Sequence, residues 1–388
     1  MQMSVSLLSH FEELEDKRIE RTKLHPLLGI IGLVLCAISA GETTWVGIAE
    51  YGRDKEEFLR QHLPLPNGIP SHDTIARVFS LLNTSQLATC MLHFTLEIME
   101  KKEKEINIDG KYLRHSFDMP LDQKPLVMLN AWASTQKLAL ASVPVDLKSN
   151  EVTAIPILLR MLDLEGSIVS TDAMGCQVQI VSQIISQKGD YLLALKGNQG
   201  TLHEDVKAFF EHSEAKKWEE VPHDVYHSEN SEHSRNEYRR CTRVLLSDLG
   251  DLWSDVISKW RGLSSIIRVE SHRTVKKWVN GVLTPEKSVE YRYFISSLRR
   301  SAQSCLGIIR RHWGIENSLH YVLDVSFNED ACRVRRGNRA ANLSLMRHQS
   351  LNLLRKETTY KRSIKSKMQH CQRNDAYMLK VLQGGLCS

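Results

Sequence analysis

The sequence predicts an α/β fold preceded by a helical region, and three observations carry that prediction. From residue 1 to about 103, apolar residues recur at the three-to-four spacing of helices, through Leu27–Ala40 and again through Leu81–Met99. At Glu105 the period changes: "INIDGKYL", "PLVMLNAWAS" and "KLALASVPVDL" are three short β-type runs separated by turn-prone residues, the pattern of an antiparallel meander. Helices and strands then alternate, with a helix over about 152–162, strand "SIVSTD", a helix over 177–186, strand "YLLALK" and a helix from about Thr201. Three strands followed by helix, strand, helix, strand is the order of a ribonuclease H-like core. Beyond Trp218 strand-like runs return ("RCTRVLLS", "SSIIRVESHRTV", "VEYRYFISSL"), before helical stretches over 301–323 and 339–356. In the first region "SHDTIARVFSLL" predicts a capped helix, with Ser71 or Asp73 as the cap and Ile75, Val78, Phe79 and Leu82 on its apolar side.

The chain has 388 residues, enough for two or three domains, and its 42% apolar and 25% charged composition is that of folded globular protein. The most apolar run, Leu27–Ala40, is too short to span a bilayer and reads as a buried helix. The first residues lack the basic, apolar and small-residue regions of a secretory signal, so a cytosolic location is expected. Eight cysteines occur without a CxxC pair, which favours free thiols in a reducing compartment over the usual zinc spacing.

Charge is unevenly distributed. Between Ala331 and Arg373 twelve Lys or Arg residues face one acid, Glu357, a balance of +11 that leaves −6 for the rest of a chain whose total is +5. A basic block on an otherwise acidic chain suits a polyanion such as a phosphate backbone; a solvated helix face is the plain alternative.

Three carboxylates stand out by position. Asp109 ends "INID", Asp172 ends "IVSTD", and Glu316 lies within the late helix "IIRRHWGIENSLHYVLD". An acid closing an apolar strand is held at a sheet rim by rigid backbone, which suits a precise ligand. Two-metal phosphodiester cleavage needs hard oxygen ligands from several directions, and two strand ends and a helix provide them. Each acid alone has an ordinary reading: Asp109 as a turn residue before Gly110, Asp172 as a helix cap, Glu316 as a surface acid. The three together are more specific. Asp324, Glu329 and Asp330 read as structural. Arg310, Arg311, His312 and Trp313, just ahead of Glu316, suit phosphate contact and base stacking, or a surface and core role.

"IDGKYLRHSF", "STDAMGCQ", "YLLALKGNQGTLHED", "RYFISSL" and "IIRRHWGIENSLHYVLDVSFNEDACRVRRGN", with the N-terminal "HPLLGIIGLVLCAISAGETTWVGIAEYG", resemble the H-repeat-associated insertion-sequence transposases of bacteria, a branch of the DDE superfamily. The resemblance covers nearly the whole chain. It implies a helical N-terminal domain at 1–103 that binds DNA ends, a ribonuclease H-like catalytic core at 104–330 with a β-rich insertion at about 215–300, and a basic helical segment at 331–388. It also implies Asp109, Asp172 and Glu316 as catalytic, metal-binding acids, spaced by 63 and 144 residues. The implied cofactor is Mg²⁺, with Mn²⁺ as substitute. Implied partners are double-stranded DNA and a second copy of the chain in a synaptic complex, with no membrane, and the implied location is the bacterial cytoplasm, on the nucleoid when bound. Lys111, Lys196, Asn198, Gln199, Arg310, Arg311, His312, Trp313, Arg335, Arg336 and Arg339 are the expected DNA contacts. The chain departs from related families around the helix acid, with Ile309, His312 and Leu323 at the usual Tyr, Arg and Lys offsets, and in "HSRNE" (His233–Glu237) where relatives carry a Gly-Arg pair. Two other functions compete: a ribonuclease H-like nuclease that never joins ends, and a non-catalytic DNA-binding derivative.

Overall fold

The computed structural model describes residues 5–117, 124–146, 150–232, 235–279 and 282–384. Strands β1 (Glu105–Leu113), β2 (Leu126–Ala133), β3 (Leu138–Pro144), β4 (Ile168–Thr171), β5 (Asp190–Leu195), β6 (Asp224–Glu232), β7 (Arg235–Leu245), β8 (Ser265–Val279) and β9 (Val282–Ser296) follow in chain order. The chain divides into two compact units, and β1 contributes to both.

One unit comprises Met1–Glu103, Asp109–Leu162 and Gly314–Ser388. Its first helices include Leu27–Ser39, buried on nearly every side as so apolar a segment must be. His72–Leu81 is capped by the Ser71 hydroxyl, which accepts from the Thr74 amide. The hairpin of β2 and β3 is antiparallel. The apolar core joins Ile30, Leu33 and Phe79 of the N-terminal helices to Met128 and Trp132 of β2 and to Leu319, Leu323 and Leu354 from the last part of the chain.

The deepest element of this unit is Arg339–Lys356. Residues Ala340–Leu354 are all buried, seven polar side chains among them. Such a helix costs desolvation unless its polar groups are paired. Asn352 pairs with both backbone groups of Ala139, donating to the carbonyl at 2.8 Å and accepting from the amide at 2.9 Å. The Asn342 amide donates to Phe79 O and Leu82 O at 2.9 and 3.1 Å, and Ser350 Oγ lies 2.8 Å from Ser39 Oγ.

The second unit comprises Lys104–Ile108 and Asp163–Trp313. Its strands run β1-β4-β5-β9-β8-β7-β6, with β1, β4 and β5 parallel and the remainder antiparallel. Helices Glu151–Met161, Val178–Ser186 and Gly200–Ala215 match the expected ones within a residue or two; the last two lie in this unit. Ala302–His312 packs Leu306, Ile308 and Ile309 against Ile168, Leu192 and Ile267. The β-rich stretch expected at about 215–300 contains β6–β9. Strand β6 was not foreseen, because "DVYHSENSE" lacks the apolar alternation of a half-buried strand.

Cys36, Cys90, Cys176, Cys241, Cys305 and Cys371 are buried free thiols, Cys332 is a half-buried one, and Cys387 lies outside the described residues. Among the described residues no helix is long and apolar enough to cross a membrane.

Candidate active site

Asp109 lies midway along β1, one residue past Ile108, the last partner of β4. Its side chain is half-buried at a cavity of about 530 Å³ in the first unit. Gly110 follows, and a Cβ there would meet the Glu151 carboxylate, the end of a flexible side chain that would have to shift. Asp109 Oδ1 accepts from the Gly110 amide at 2.9 Å, and Oδ2 lies 3.6 Å from His320 Nδ1.

Glu316 lines the same cavity and is exposed. The helical stretch expected over 301–323 is not uniform. An α-helix runs over Ala302–His312, five residues Glu316–His320 form a π-helical turn, and α-helix resumes over Tyr321–Phe327. Such wide turns recur at functional sites and re-aim the side chains they carry. Ile315 and Leu319 anchor this one in the core, and Arg355, stacked over Trp132 at 4.8 Å, donates to the Ser318 and Lys137 carbonyls. Nothing in the sequence signals a π turn, because it arises from packing.

Asp324 and Asp330 also line the cavity, but both hold Lys111, whose ammonium lies 2.6 Å from Asp324, 3.1 Å from Asp330 and 3.7 Å from the fully buried Glu329. Burial works to lower the Lys111 pKa; Glu329, Asp324 and Asp330 outweigh it, and the net shift is upward. Burial also raises the Asp324 pKa, against the pull of Lys111. Lys111, expected to face DNA, is therefore an internal cation. The three acids read as structural are indeed its partners.

In the second unit Asp172 follows β4 and caps the turn Ala173–Gly175, its Oδ1 accepting from the Met174 and Gly175 amides at 3.0 and 3.4 Å. Asn198 donates to Ala173 O at 2.6 Å, and Gln199 donates to Cys176 O at 3.0 Å. These two residues, expected at DNA, brace the loop behind Asp172; Lys196 is exposed.

The run 310–313 divides in the same way. Arg310 is exposed, but Arg311 is held bidentate by Glu105 at 2.6 and 2.7 Å. His312 is half-buried, with Nδ1 2.9 Å from Ser170 Oγ, and desolvation lowers its pKa to about 4. Ser170 in turn donates to Asn107, whose amide donates to Arg311 O. Trp313 lies under the Arg292 guanidinium at 4.4 Å. Arg311, its side chain still 45% exposed, and His312 thus fasten their helix to β1 and β4.

The basic segment is likewise only partly surface charge. Arg347 faces Glu329 at 3.6 Å, Lys367 donates to Leu354 O and Glu357 O, and Lys356 pairs with Glu100. Arg335 covers Phe117 at 5.1 Å, and Arg339 donates to Ala76 O at 2.8 Å. Arg333, Arg336, Lys361, Arg362, Lys365 and Arg373 are exposed. His233 and Ser234, where the chain departs from its relatives, lie outside the described residues.

Among the described residues no three His, Cys, Asp or Glu side chains stand together as a ready metal cage. The donor chemistry nonetheless fits a hard cation: two carboxylates on one roomy cavity match the way Mg²⁺ is usually held, by one or two carboxylates with substrate phosphate and water completing the shell.

The transposase DDE domain family matches residues 122–353, and the domain family associated with it matches 8–95. "H repeat-associated putative transposase YhhI" of Escherichia coli K12 is 37% identical over 383 residues, 97% of this chain and 98% of its own length. Protein YbfL of the same strain has the same identity and coverage. Among solved structures, the piggyBac transposase synaptic complex with hairpin DNA spans the whole chain and 80% of its own at a TM-score of 0.43 and 10% identity, too distant to carry an argument. The chain belongs to the H repeat-associated transposase family of DDE-domain proteins, and its fold is the mixed α/β, ribonuclease H-like one with a helical N-terminal region. DDE transposase domains use divalent metal ions, and the family binds DNA.

Proposed function

We propose that the chain is an active DNA transposase: a metal-dependent enzyme that hydrolyses a phosphodiester at each end of an insertion sequence and joins the freed 3′-hydroxyl to a target. The observation that carries this reading is the cavity of about 530 Å³ on which Asp109 and Glu316 both stand, one on a strand and one on a π turn anchored in the core. Asp172 is the third acid, on the strength of its motif and its place at the end of β4. A bound Mg²⁺, or Mn²⁺ in its place, would polarise the scissile phosphate and activate the attacking water or hydroxyl. The protein's part is to hold carboxylate oxygens in place on rigid elements and to keep Lys111 from neutralising them, since that ammonium is committed to Asp324, Glu329 and Asp330. The DNA ends meet the chain as a homodimer, with exposed cations such as Lys196, Arg310 and Arg336 on the phosphates.

Glu316→Gln tests the assignment. The change is nearly isosteric on an exposed side chain, so the melting temperature should hold and stability should change by no more than about 0.5 kcal/mol. Binding to element ends should persist while Mg²⁺-dependent nicking is lost, because a neutral amide is a poor Mg²⁺ ligand. Ca²⁺ should support binding without turnover. Equal nicking in EDTA and in Mg²⁺, or normal nicking by Glu316→Gln, overturns the proposal.

A further inference from the structure

The cavity wall also contains His320, and a line of buried polar groups leads away from it. His320 Nε2 lies 3.2 Å from Asn130 Nδ2. Asn130 Oδ1 accepts from Ser142 Oγ at 2.8 Å, and Ser142 Oγ lies 3.0 Å from Nδ1 of the buried His348. The four residues come from the π turn, β2, β3 and helix Arg339–Lys356, all within one compact unit.

The donors in this line have a single consistent direction. Asn130 Nδ2 also donates to the Met128 carbonyl at 3.2 Å, which fixes that atom as nitrogen and leaves Oδ1 to accept the Ser142 proton. Ser142, having given its only proton, accepts at His348. At the other end, an Asn130 N–H can face His320 Nε2 only if that nitrogen is bare. A neutral imidazole with a bare Nε2 carries its proton on Nδ1, and Nδ1 is the atom 3.6 Å from Asp109 Oδ2. That distance is too long for a hydrogen bond, but a shift of a few tenths of an ångström makes one.

We propose that His320 is a positioning residue for Asp109, locked by Asn130, Ser142 and His348 in the Nδ1–H tautomer so that it presents a proton, and never a lone pair, to the carboxylate. His320 is then neither metal ligand nor general base. It turns one Asp109 oxygen by donating to it, as the outer partners of metal-binding carboxylates do. The proposal rests on Asp109 being a catalytic acid, but the tautomer stands independently of that.

Two experiments test it. In the full chain labelled with ¹⁵N-histidine, with the His320 signals identified by their loss in His320→Asn, long-range ¹H–¹⁵N spectra should show a protonated Nδ1 and a bare Nε2. Asn130→Leu should release the ring toward the Nε2–H form that free imidazoles prefer. A protonated Nε2 in the unmodified protein overturns the proposal. In Mg²⁺-dependent nicking, His320→Asn, whose amide overlays Nδ1, should stay near the parent. His320→Gln, whose amide overlays Nε2, should fall by about 10- to 100-fold. Equal loss in both variants also overturns the proposal. Normal nicking by Asp109→Asn would instead refute the catalytic reading and leave the tautomer result untouched.

Discussion

Replacing Lys111 with methionine removes the shared cation of a charge cluster in the first unit while keeping the side chain's length. The lysine is nearly inaccessible, and its ammonium is shared by Asp324, Asp330 and Glu329. Glu329 has no exposure at all, and its other cation, Arg347, lies 3.6 Å away. Breaking a buried pair on one side costs about 3–5 kcal/mol, mostly the burden of the charge left behind. Asp324 and Asp330 are a third and a quarter exposed and recover some hydration, so the lower end, about 3 kcal/mol, is expected. For a unit of this size that is a fall of about 6–12 °C in melting temperature. Thermal melting by calorimetry measures it, with Lys111→Arg as the charge-preserving control. DNA affinity of the folded variant should keep the parent's salt dependence, because an internal cation releases no counterions. A melting point within about 2 °C of the parent refutes the buried-charge account, and a flatter salt dependence would return Lys111 to the DNA.

Acid should destabilise the protein early. His312 and His348 have their pKa values lowered by burial to about 4 and about 3, so the folded state binds fewer protons than the unfolded one below pH 6.5; stability is complete above that value and declines as pH falls toward 4, by up to about 1.4 kcal/mol per pH unit per histidine. Melting curves between pH 7.5 and 4.5 should show this, and His348→Gln should flatten the decline; a slope equal to the parent's refutes it. Among the basic residues, Arg333, Arg336 and Lys365 changed together to alanine should weaken binding to any DNA and lower the salt slope by about 0.9 for each phosphate they no longer neutralise, whereas an unchanged slope marks them as solvated surface. Arg355→Met should lower the melting temperature without touching the salt slope, since its guanidinium is spent on Trp132 and the Ser318 and Lys137 carbonyls; a changed slope with an unchanged melting point would reverse that assignment.

Where apolar periodicity speaks plainly, sequence and structure agree. Helix Arg339–Lys356 has its expected bounds, and β4, β5 and the helices after them lie where alternation put them. What charge counting could not see is which cations look inward. Arg347, Arg355 and Lys367 are indistinguishable in sequence from Arg333 and Lys365, yet partners on neighbouring elements hold the first three and leave the other two in water. The same holds at the site: "RRHW" suggests a phosphate grip, but Glu105 and Ser170, more than a hundred residues upstream, hold Arg311 and His312. Asp109 and Glu316 stood out in the sequence by local pattern, but β1 runs on to Leu113, so Asp109 lies within its strand and does not end it as "INID" suggested. The π turn and the His320 line were not, because they depend on how β2, β3 and a C-terminal helix pack.

The placement of Arg339–Lys356 has a consequence for synthesis. The unit built on residues 1–103 and 109–162 is threaded through by a helix that leaves the ribosome more than 170 residues later. Until then Phe79 O, Leu82 O and both backbone groups of Ala139 lack the amides that later satisfy them, while residues 163–313 can already close their own sheet. Chain release is therefore a gate: a product ending before residue 339 would contain one finished unit and one with an open core, a form for proteases to remove rather than a competitor at DNA ends.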